Sequence, residues 1–325
     1  MHIRAIGEAL IRDLLTPAVA IDVVDAAMRE VSQGNVELPL RWGLKLPNGA
    51  MGMMPGYLGS PECFGIKLVS LFPGNPAVGL PSHLGLMVLF ESERGEPVAL
   101  LDGDVVTSLR TAAASAVATR ALARPDAAEL LIVGTGEQAR AHAPAMLAVR
   151  SLRRIRIWGR DADKAVELAN ELAPQYPLAV EPCTDLRDAI QTADIICTVT
   201  GAREPILRGE WLQPGTHLNL VGSSVPEARE VDTDAVRRAS CFVDFRASAF
   251  AQAGELLTAI ADGAVDADHV CGEIGDVLLE RVPGRSDDQQ ITVYKSLGVA
   301  AQDLAAAWYL HKEAEARGLG SVIEL

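Results

Sequence analysis

The stretch ELLIVGTGEQARAH, residues 129–142, constrains this chain more than any other. A strand-like run, Glu129–Val133, leads straight into Gly134-Thr135-Gly136-Glu137-Gln138-Ala139, and a helical pattern follows. The spacing is GxGxxA. In a dinucleotide-binding turn the first glycine permits the tight bend and the second lets the backbone approach a pyrophosphate. A small third residue lets the helix pack closely on the strand. The free N–H groups of the first helical turn then face the phosphates. A purely structural strand–helix turn is the alternative, but a second strand, RIRIW at 154–158, follows at the interval such a unit needs. Gly134, Thr135, Gly136, Glu137, Gln138 and Ala139 are therefore expected to contact a nicotinamide dinucleotide. The second strand ends in Gly159-Arg160-Asp161. Arginine there accommodates a ribose 2′-phosphate, whereas an acid binds a free 2′-hydroxyl. Arg160 favours NADP(H), and Asp161 keeps NAD(H) as the alternative.

The rest of the chain is organised around this unit. Strands are expected at 129–133, 154–158, 194–200, 216–221 and 241–245, with helical segments between them. That alternation is the pattern of βαβ units on a parallel sheet. From 37 to about 105 the sequence instead breaks into short apolar runs between Gly/Pro turns, a β-rich block. Residues 8–32 have helical spacing interrupted at Thr16-Pro17, where proline suits a new helix start. Residues 107–123 are alanine-rich and favour helix, and 294–317 read as one long amphipathic helix. The fold class is α/β: a Rossmann-type doubly wound parallel sheet plus an α+β domain. The boundaries fall at 1–115 with 291–325 for the α+β part, the tail returning to it, and 116–290 for the Rossmann part.

Composition narrows the function. The 325 residues, 49% of them hydrophobic, suffice for two cored domains, and the formal charge is −14 without a basic block. Nucleic acid and anionic membrane surfaces both need clustered Lys/Arg, so neither is an expected partner. The five cysteines, Cys63, Cys183, Cys197, Cys241 and Cys271, are scattered, odd in number and form no CxxC pair. They read as reduced thiols of a cytoplasmic protein. The first residues carry charges through their apolar stretch, unlike a signal peptide, and no run is long enough to cross a bilayer. Six histidines show no metal-ligand spacing. His142 reads as a packing or surface residue, and Asp102-Gly103-Asp104 as a turn rather than a catalytic pair.

One residue contradicts its surroundings. In FGIKLVSLFPGNPAVGLPSH, residues 64–83, Lys67 interrupts a strand that otherwise reads as buried, on the face it shares with Val69 and Leu71. An unpaired buried ammonium costs several kcal/mol or lowers its pKa. Arg41, Ser82 and Arg110 are the companions singled out. Two arginine forks and a lysine would hold a small carboxylate firmly. Taken alone, Arg41 also reads as a solvated edge-strand charge, Arg110 as a surface residue and Ser82 as a turn former.

FGIKLVSLFPGNPAVGLPSH, LLDGDVVTSLRTAAASAVATR, LLIVGTGEQARAH and YKSLGVAAQDLAAA occur in this order along nearly the whole chain. Together they resemble the ornithine cyclodeaminase/mu-crystallin family. The resemblance implies a homodimer whose first domain builds the substrate site and the dimer interface, and a Rossmann second domain. Residue by residue, it implies that Arg41, Lys67 and Arg110 bind and act on a carboxylate substrate, with Ser82 beside that carboxylate. It implies cofactor contacts from Thr111, the turn 134–139 and Ser223. Cyclodeaminases of the family carry an aspartate in the loop after the fifth Rossmann strand. Here the loop reads LVGSSVPEAREVD, with Ser224 at the aligned position. The glutamate expected ahead of the lysine strand is also missing, the segment reading GMMPGYL, with Glu62 nearer the lysine than expected. Members with a small or hydroxyl residue in that loop resemble imine reductases and amino-acid dehydrogenases. The resemblance therefore implies reduction of a cyclic ketimine acid, Δ1-pyrroline-2-carboxylate or its six-membered homologue, with Lys67 and Ser224 as catalytic residues. An alanine-dehydrogenase-like activity, ornithine cyclodeamination and non-catalytic binding of a small ligand with NADPH are the alternatives. On this reading the substrate's carboxylate compensates Lys67.

Overall fold

The structure, a computed structural model, describes residues 2–324. It divides into two compact units, Met1–Arg110 with Gly298–Leu325, and Thr111–Leu297. The divisions thus fall after Arg110 and Leu297, against boundaries expected at 115 and 290.

The first unit opens with strand β1 (His2–Ile6), helices α1 (Glu8–Leu14) and α2 (Pro17–Gln33) and strand β2 (Val36–Glu37). Pro17 occupies the first turn of α2, and Gly34 ends that helix in the left-handed conformation with φ 75°. An antiparallel meander follows: β3 (Trp42–Leu46), β4 (Gly49–Gly59), β5 (Glu62–Leu71), β6 (His83–Glu91) and β7 (Pro97–Asp102). These strands coincide with the apolar runs of the β-rich block. Helix α3 (Gly103–Leu122) begins directly after β7, with the Asp102 carboxylate accepting the N–H groups of Asp104 and Val105 at 3.0 and 3.1 Å. The acid pair 102–104 is thus a helix start.

In the second unit, β8 (Glu129–Val133) leads through the glycine-rich turn to α4 (Glu137–Leu147), then β9 (Arg154–Trp158), α5 (Ala162–Leu172) and β10 (Ala179–Pro182). Strands β11 (Ile195–Thr198), β12 (His217–Leu220), β13 (Ser240–Val243), β14 (Val270–Glu273) and β15 (Thr292–Lys295) complete the sheet. Its order is β10-β9-β8-β11-β12-β15-β13-β14, and every neighbouring pair is parallel. The order reverses between β8 and β11, so the GxGxxA turn sits at the switch point where open parallel sheets bind ligands. Leu131, Val133, Ile196, Leu218, Leu220, Val243 and Val293 fill one core, which explains why these strands read as unbroken apolar runs.

The tail corrects the sequence reading. Residues 294–317 are not one helix: Tyr294 and Lys295 belong to β15, paired on one side with Asn219 and Leu220 and on the other with Phe242 and Val243. Ile291, Thr292, Val293 and Tyr294 favour strand, and two parallel ladders outweigh the local helical pattern. Gly298, at φ 77°, turns the chain, and the C-terminal helix runs only from Ala300 to Ala316. Strand β16 (Ser321–Glu324) then pairs antiparallel with β1, so the tail lies in the first unit.

The C-terminal helix packs against β4 and β5 through two glycines. A Cβ at Gly56 would stand 2.8 Å from the Ala300 methyl and 3.2 Å from Leu38, and one at Gly65 would fall against the Val88 carbonyl oxygen on β6 and stand 3.0 Å from Leu304. A larger residue at Gly56 would push the helix outward, and one at Gly65 would also collide with the backbone of β6. Gly56→Val is expected to lower stability by about 1–3 kcal/mol, read from urea denaturation midpoints; an unchanged midpoint would contradict this packing.

Candidate active site

Lys67 reaches the interior because β5 alternates. Cys63, Gly65 and Lys67 form its buried set, while Phe64, Ile66 and Leu68 point to the other face. Lys67 is 3% exposed, and its counter-charge comes from the C-terminal helix: Nζ lies 2.8 Å from Asp303 Oδ2. It also donates to Thr107 Oγ1 at 3.2 Å. Arg110, 4% exposed, donates from Nε to Asp303 Oδ1 at 2.8 Å and from Nη1 to Gln302 Oε1 at 2.9 Å. Arg41 precedes β3 and donates from Nη2 to the Gly298 carbonyl at 2.9 Å. Gly298 in turn lies flat against Arg110, where a Cβ would come within 2.5 Å of Nη1. The first unit thus brings Arg41, Lys67 and Arg110 together around Asp303 and Gly298.

The electrostatics follow from burial and an incomplete charge balance. Burial pushes the Lys67 ammonium down from 10.5 to about 8; Arg110 adds to the fall, Asp303 opposes it, and Arg41 lowers it further. Burial alone would raise the Asp303 carboxyl, but Arg110 and Lys67 outweigh it and hold the group below its ordinary value. One carboxylate facing two buried cations, with Arg41 nearby, leaves positive charge for an incoming anion. The expectation that a substrate carboxylate compensates Lys67 is therefore corrected: the primary partner is Asp303, and an external carboxylate would meet the remainder. Asp303 and Gln302 were missed by sequence reasoning. The available signal was a pair of polar residues inside the otherwise apolar VAAQDLAAA.

Ser82 is not brought to this cluster. Its carbonyl accepts the Phe72 N–H at 2.8 Å, and its hydroxyl meets His83 Nδ1 at 3.0 Å. Phe72 is five residues beyond Lys67, about 16 Å along an extended strand.

The second unit presents the glycine-rich turn. Gly134 has φ 135°, and a Cβ there would meet the Val199 carbonyl oxygen at 2.8 Å, so only glycine fits. A Cβ at Gly136 would meet nothing within 4 Å, leaving open space over the N-terminus of α4. Ala139 is fully buried, as close helix–strand packing requires, and Thr135 and Gln138 are half-buried. The buried Gln138 Oε1 has no hydrogen-bond partner among the described residues. A bare cradle, free helical N–H groups and an orphaned acceptor fit a bound dinucleotide. Glu137 opens the helix at its exposed edge. At the end of β9, Asp161 is engaged as the cap of α5, accepting the Asp163 N–H at 3.1 Å and facing Lys164 at 3.9 Å. Arg160 is exposed. Thr111, in α3, is 7% exposed. His142 is buried between Ser115 and the Gln138 carbonyl and pushed down to about 4 by burial, so it is a neutral core residue.

The loop after β12, the sheet's fifth strand in chain order, is tied down by buried charges that sequence reasoning did not identify. Lys295 and Glu255, both 2% exposed, pair at 3.1 Å, and Lys295 donates to the Ser223 carbonyl at 2.6 Å. Glu230 accepts from Thr198, Thr200 and the Gly222 N–H, each at 2.7 Å. The Ser223 hydroxyl is turned inward, donating to the Ala228 carbonyl at 2.6 Å. That uses its donor and leaves its acceptor lone pairs. Ser224 is half-buried.

The sequence matches the family model for the ornithine cyclodeaminase/mu-crystallin family over residues 8–318, and the chain belongs to that family. It is 34% identical over 316 residues to a Δ1-pyrroline-2-carboxylate reductase of Bacillus cereus, covering 96% of this chain and 97% of the relative. Among solved structures it is similar to the Δ1-pyrroline-2-carboxylate reductase of Thermococcus litoralis in complex with NADH and L-proline. That match has a TM-score of 0.95 and 31% identity, over 98% of this chain and 99% of the other. An archaeal alanine dehydrogenase dimer with bound NAD is similar over the full length of both chains, with a TM-score of 0.94 and 29% identity.

Gly136 offers a check on the turn. Gly136→Ser is expected to change the melting temperature little, because its Cβ meets no described atom within 4 Å and serine suits the N-cap of α4, while weakening dinucleotide affinity at least about tenfold by filling the approach to the backbone. Fluorescence titration with NADPH measures it, and undiminished binding would remove this turn from the cofactor site.

Proposed function

We propose that this member of the family is an NAD(P)H-dependent reductase of a small cyclic ketimine carboxylate. Δ1-pyrroline-2-carboxylate, giving L-proline, is the substrate we favour, and the six-membered homologue, giving L-pipecolate, the second. The observation that carries this reading is the buried cluster of Lys67, Arg110 and Asp303 with Arg41 beside it, which has positive charge to spare and an ammonium whose pKa has fallen to about 8. Arg41 and Arg110 present donor edges to the substrate carboxylate. Lys67, poised near working pH, gives or relays a proton to the imine nitrogen. Protonation leaves C2 more electrophilic, so the carbon accepts hydride as nitrogen gains the proton. A bound nicotinamide cofactor supplies that hydride.

Thr111 and the turn Gly134–Ala139 are the proposed cofactor contacts, with Arg160 favouring NADP(H). Asp161 is engaged in capping α5, which supports that preference. The T. litoralis relative binds NADH, so NAD(H) remains the alternative. Ser224 places a neutral hydroxyl where the family's cyclodeaminases carry an aspartate. A site without that acid lacks the group that would handle a leaving amino group, which supports reduction over ammonia loss. The similarity to alanine dehydrogenase favours a second reading, reductive amination of pyruvate at the same residues. We place the reaction in the cytoplasm on the strength of five free cysteines.

The homodimer is proposed from an apolar sheet face. Register places Trp42, Met53, Leu68 and Leu86 in one row and Leu44, Met51, Ser70 and Leu84 in the next, on the face opposite Lys67. Trp42 is 57% and Leu86 51% exposed, an arrangement suited to a second copy of this chain.

The central assay is direct. Purified protein with NADPH or NADH should oxidise the cofactor on addition of Δ1-pyrroline-2-carboxylate, faster with NADPH. No oxidation with the cyclic imines sinks the reductase reading, and turnover only with pyruvate and ammonia replaces it with the second. Lys67→Ala should lower kcat/KM at least about a hundredfold with cofactor affinity retained. Since the protonated lysine is the active form, kcat/KM for reduction should fall as pH rises through about 8; a flat profile to pH 10 would exclude Lys67 as the donor. For the dimer, light scattering should give twice the chain mass, falling to one chain in Leu86→Arg, and a monomeric wild type would overturn the interface.

A further inference from the structure

Asp303 makes contacts to both buried cations from one side, and its two oxygens are divided between them. Oδ2 faces Lys67 at 2.8 Å and Oδ1 takes Arg110 Nε at 2.8 Å. Gln302 engages Arg110 Nη1, and Thr107 engages a second Lys67 donor. Thr107 is itself fixed by donating to the Gly103 carbonyl at 2.6 Å. A guanidinium has five N–H donors and an ammonium three. Arg110 spends Nε and one Nη1 hydrogen, so its Nη2 edge makes no hydrogen bond among the described residues, while Lys67 donates to Thr107 and ion-pairs with Asp303 Oδ2. The Nη2 edge of Arg110 is thereby left for a ligand, and the Lys67 ammonium is held beside it by Thr107 and Asp303.

We propose that Asp303 is a positioning residue of the substrate site, whose split carboxylate aims Lys67 and Arg110 and keeps Lys67 charged in a buried, cation-rich setting. The proposal rests on the reductase reading for its kinetic consequences, but its core concerns Lys67 alone. The charged groups facing Lys67 are Arg110 from α3, Arg41 from the segment before β3, Asp303 from the C-terminal helix and Asp104 at the start of α3. Asp104 is occupied in accepting the Gly85 N–H at 2.9 Å. Asp303 is therefore the acid in ion-pair contact with Lys67, against two arginines that disfavour its charge. Its place in the first turn of the C-terminal helix suits an ionised carboxylate.

The test follows the titration of Lys67 itself, by NMR of protein carrying 13C-labelled lysine, with the signal assigned by its loss in Lys67→Gln. In Asp303→Asn the Lys67 midpoint should move down by at least about one pH unit, and the basic limb of kcat/KM should move with it. Asp303→Glu keeps the charge but displaces both cations: the midpoint should stay near the wild-type value while kcat falls at least about tenfold. A purely stabilising aspartate would change the melting temperature and leave the midpoint and limb in place, and that result overturns the proposal. If Asp303→Asn does not fold, Asp303→Glu decides, since unchanged kcat there rejects positioning. A shifted midpoint in a protein whose wild type does not turn over the cyclic imine would leave Asp303 in its role and reject the reaction instead.

Discussion

Two buried cations share one buried carboxylate in the first unit, and much of the surrounding chain serves to make that arrangement tolerable. Removing one member of such a buried set typically costs about 3–5 kcal/mol, because the remaining charge has no compensation. The C-terminal helix must therefore approach β4 and β5 closely enough for Asp303 to reach both Lys67 and Arg110. Gly56 and Gly65 supply that approach, and Gly298 turns the chain into the helix while leaving room for the Arg110 guanidinium. A cluster assembled at this cost, with positive charge unspent, is better explained by an anionic ligand than by stability, since buried ion pairs contribute little net stabilisation.

The second unit solves a different problem with different means. Its parallel sheet carries a buried apolar core, and the glycine-rich turn lies at the C-terminal end of β8. Gly134 provides the bend, Gly136 the open approach and α4 the N-terminal N–H groups. The loop after β12 is held by Glu230, Glu255 and Lys295, so its position depends on buried charge rather than on its own sequence. One scaffold of this kind hosts several chemistries, and the side chains of such loops decide among them. Under the proposed function, Ser224 in place of an aspartate is a change of that sort.

Much of this was legible before any coordinates. The GxGxxA turn between strand and helix, the break at Thr16-Pro17 and the β-rich block all rest on local rules, and local rules survive folding. Strand β15 was misread as helix because its identity comes from neighbours distant in sequence: Asn219 and Phe242 pair with Tyr294 from opposite sides. Ser82 and Lys67 lie on one quoted stretch, yet the β5–β6 ladder separates them. Proximity in sequence does not predict proximity across a hairpin.

The sequence by itself determined the chemistry available: a dinucleotide turn, a lysine and two arginines suited to a carboxylate, and no aspartate at position 224. It also posed the problem of a lysine within an apolar strand. Only the tertiary structure decided how that problem is solved. Asp303 lies 236 positions from Lys67 and 193 from Arg110 along the chain, and nothing local to VAAQDLAAA says which cations it will meet. Ion pairing between such distant groups is fixed by how a helix packs on a sheet, and that packing emerges from the whole fold.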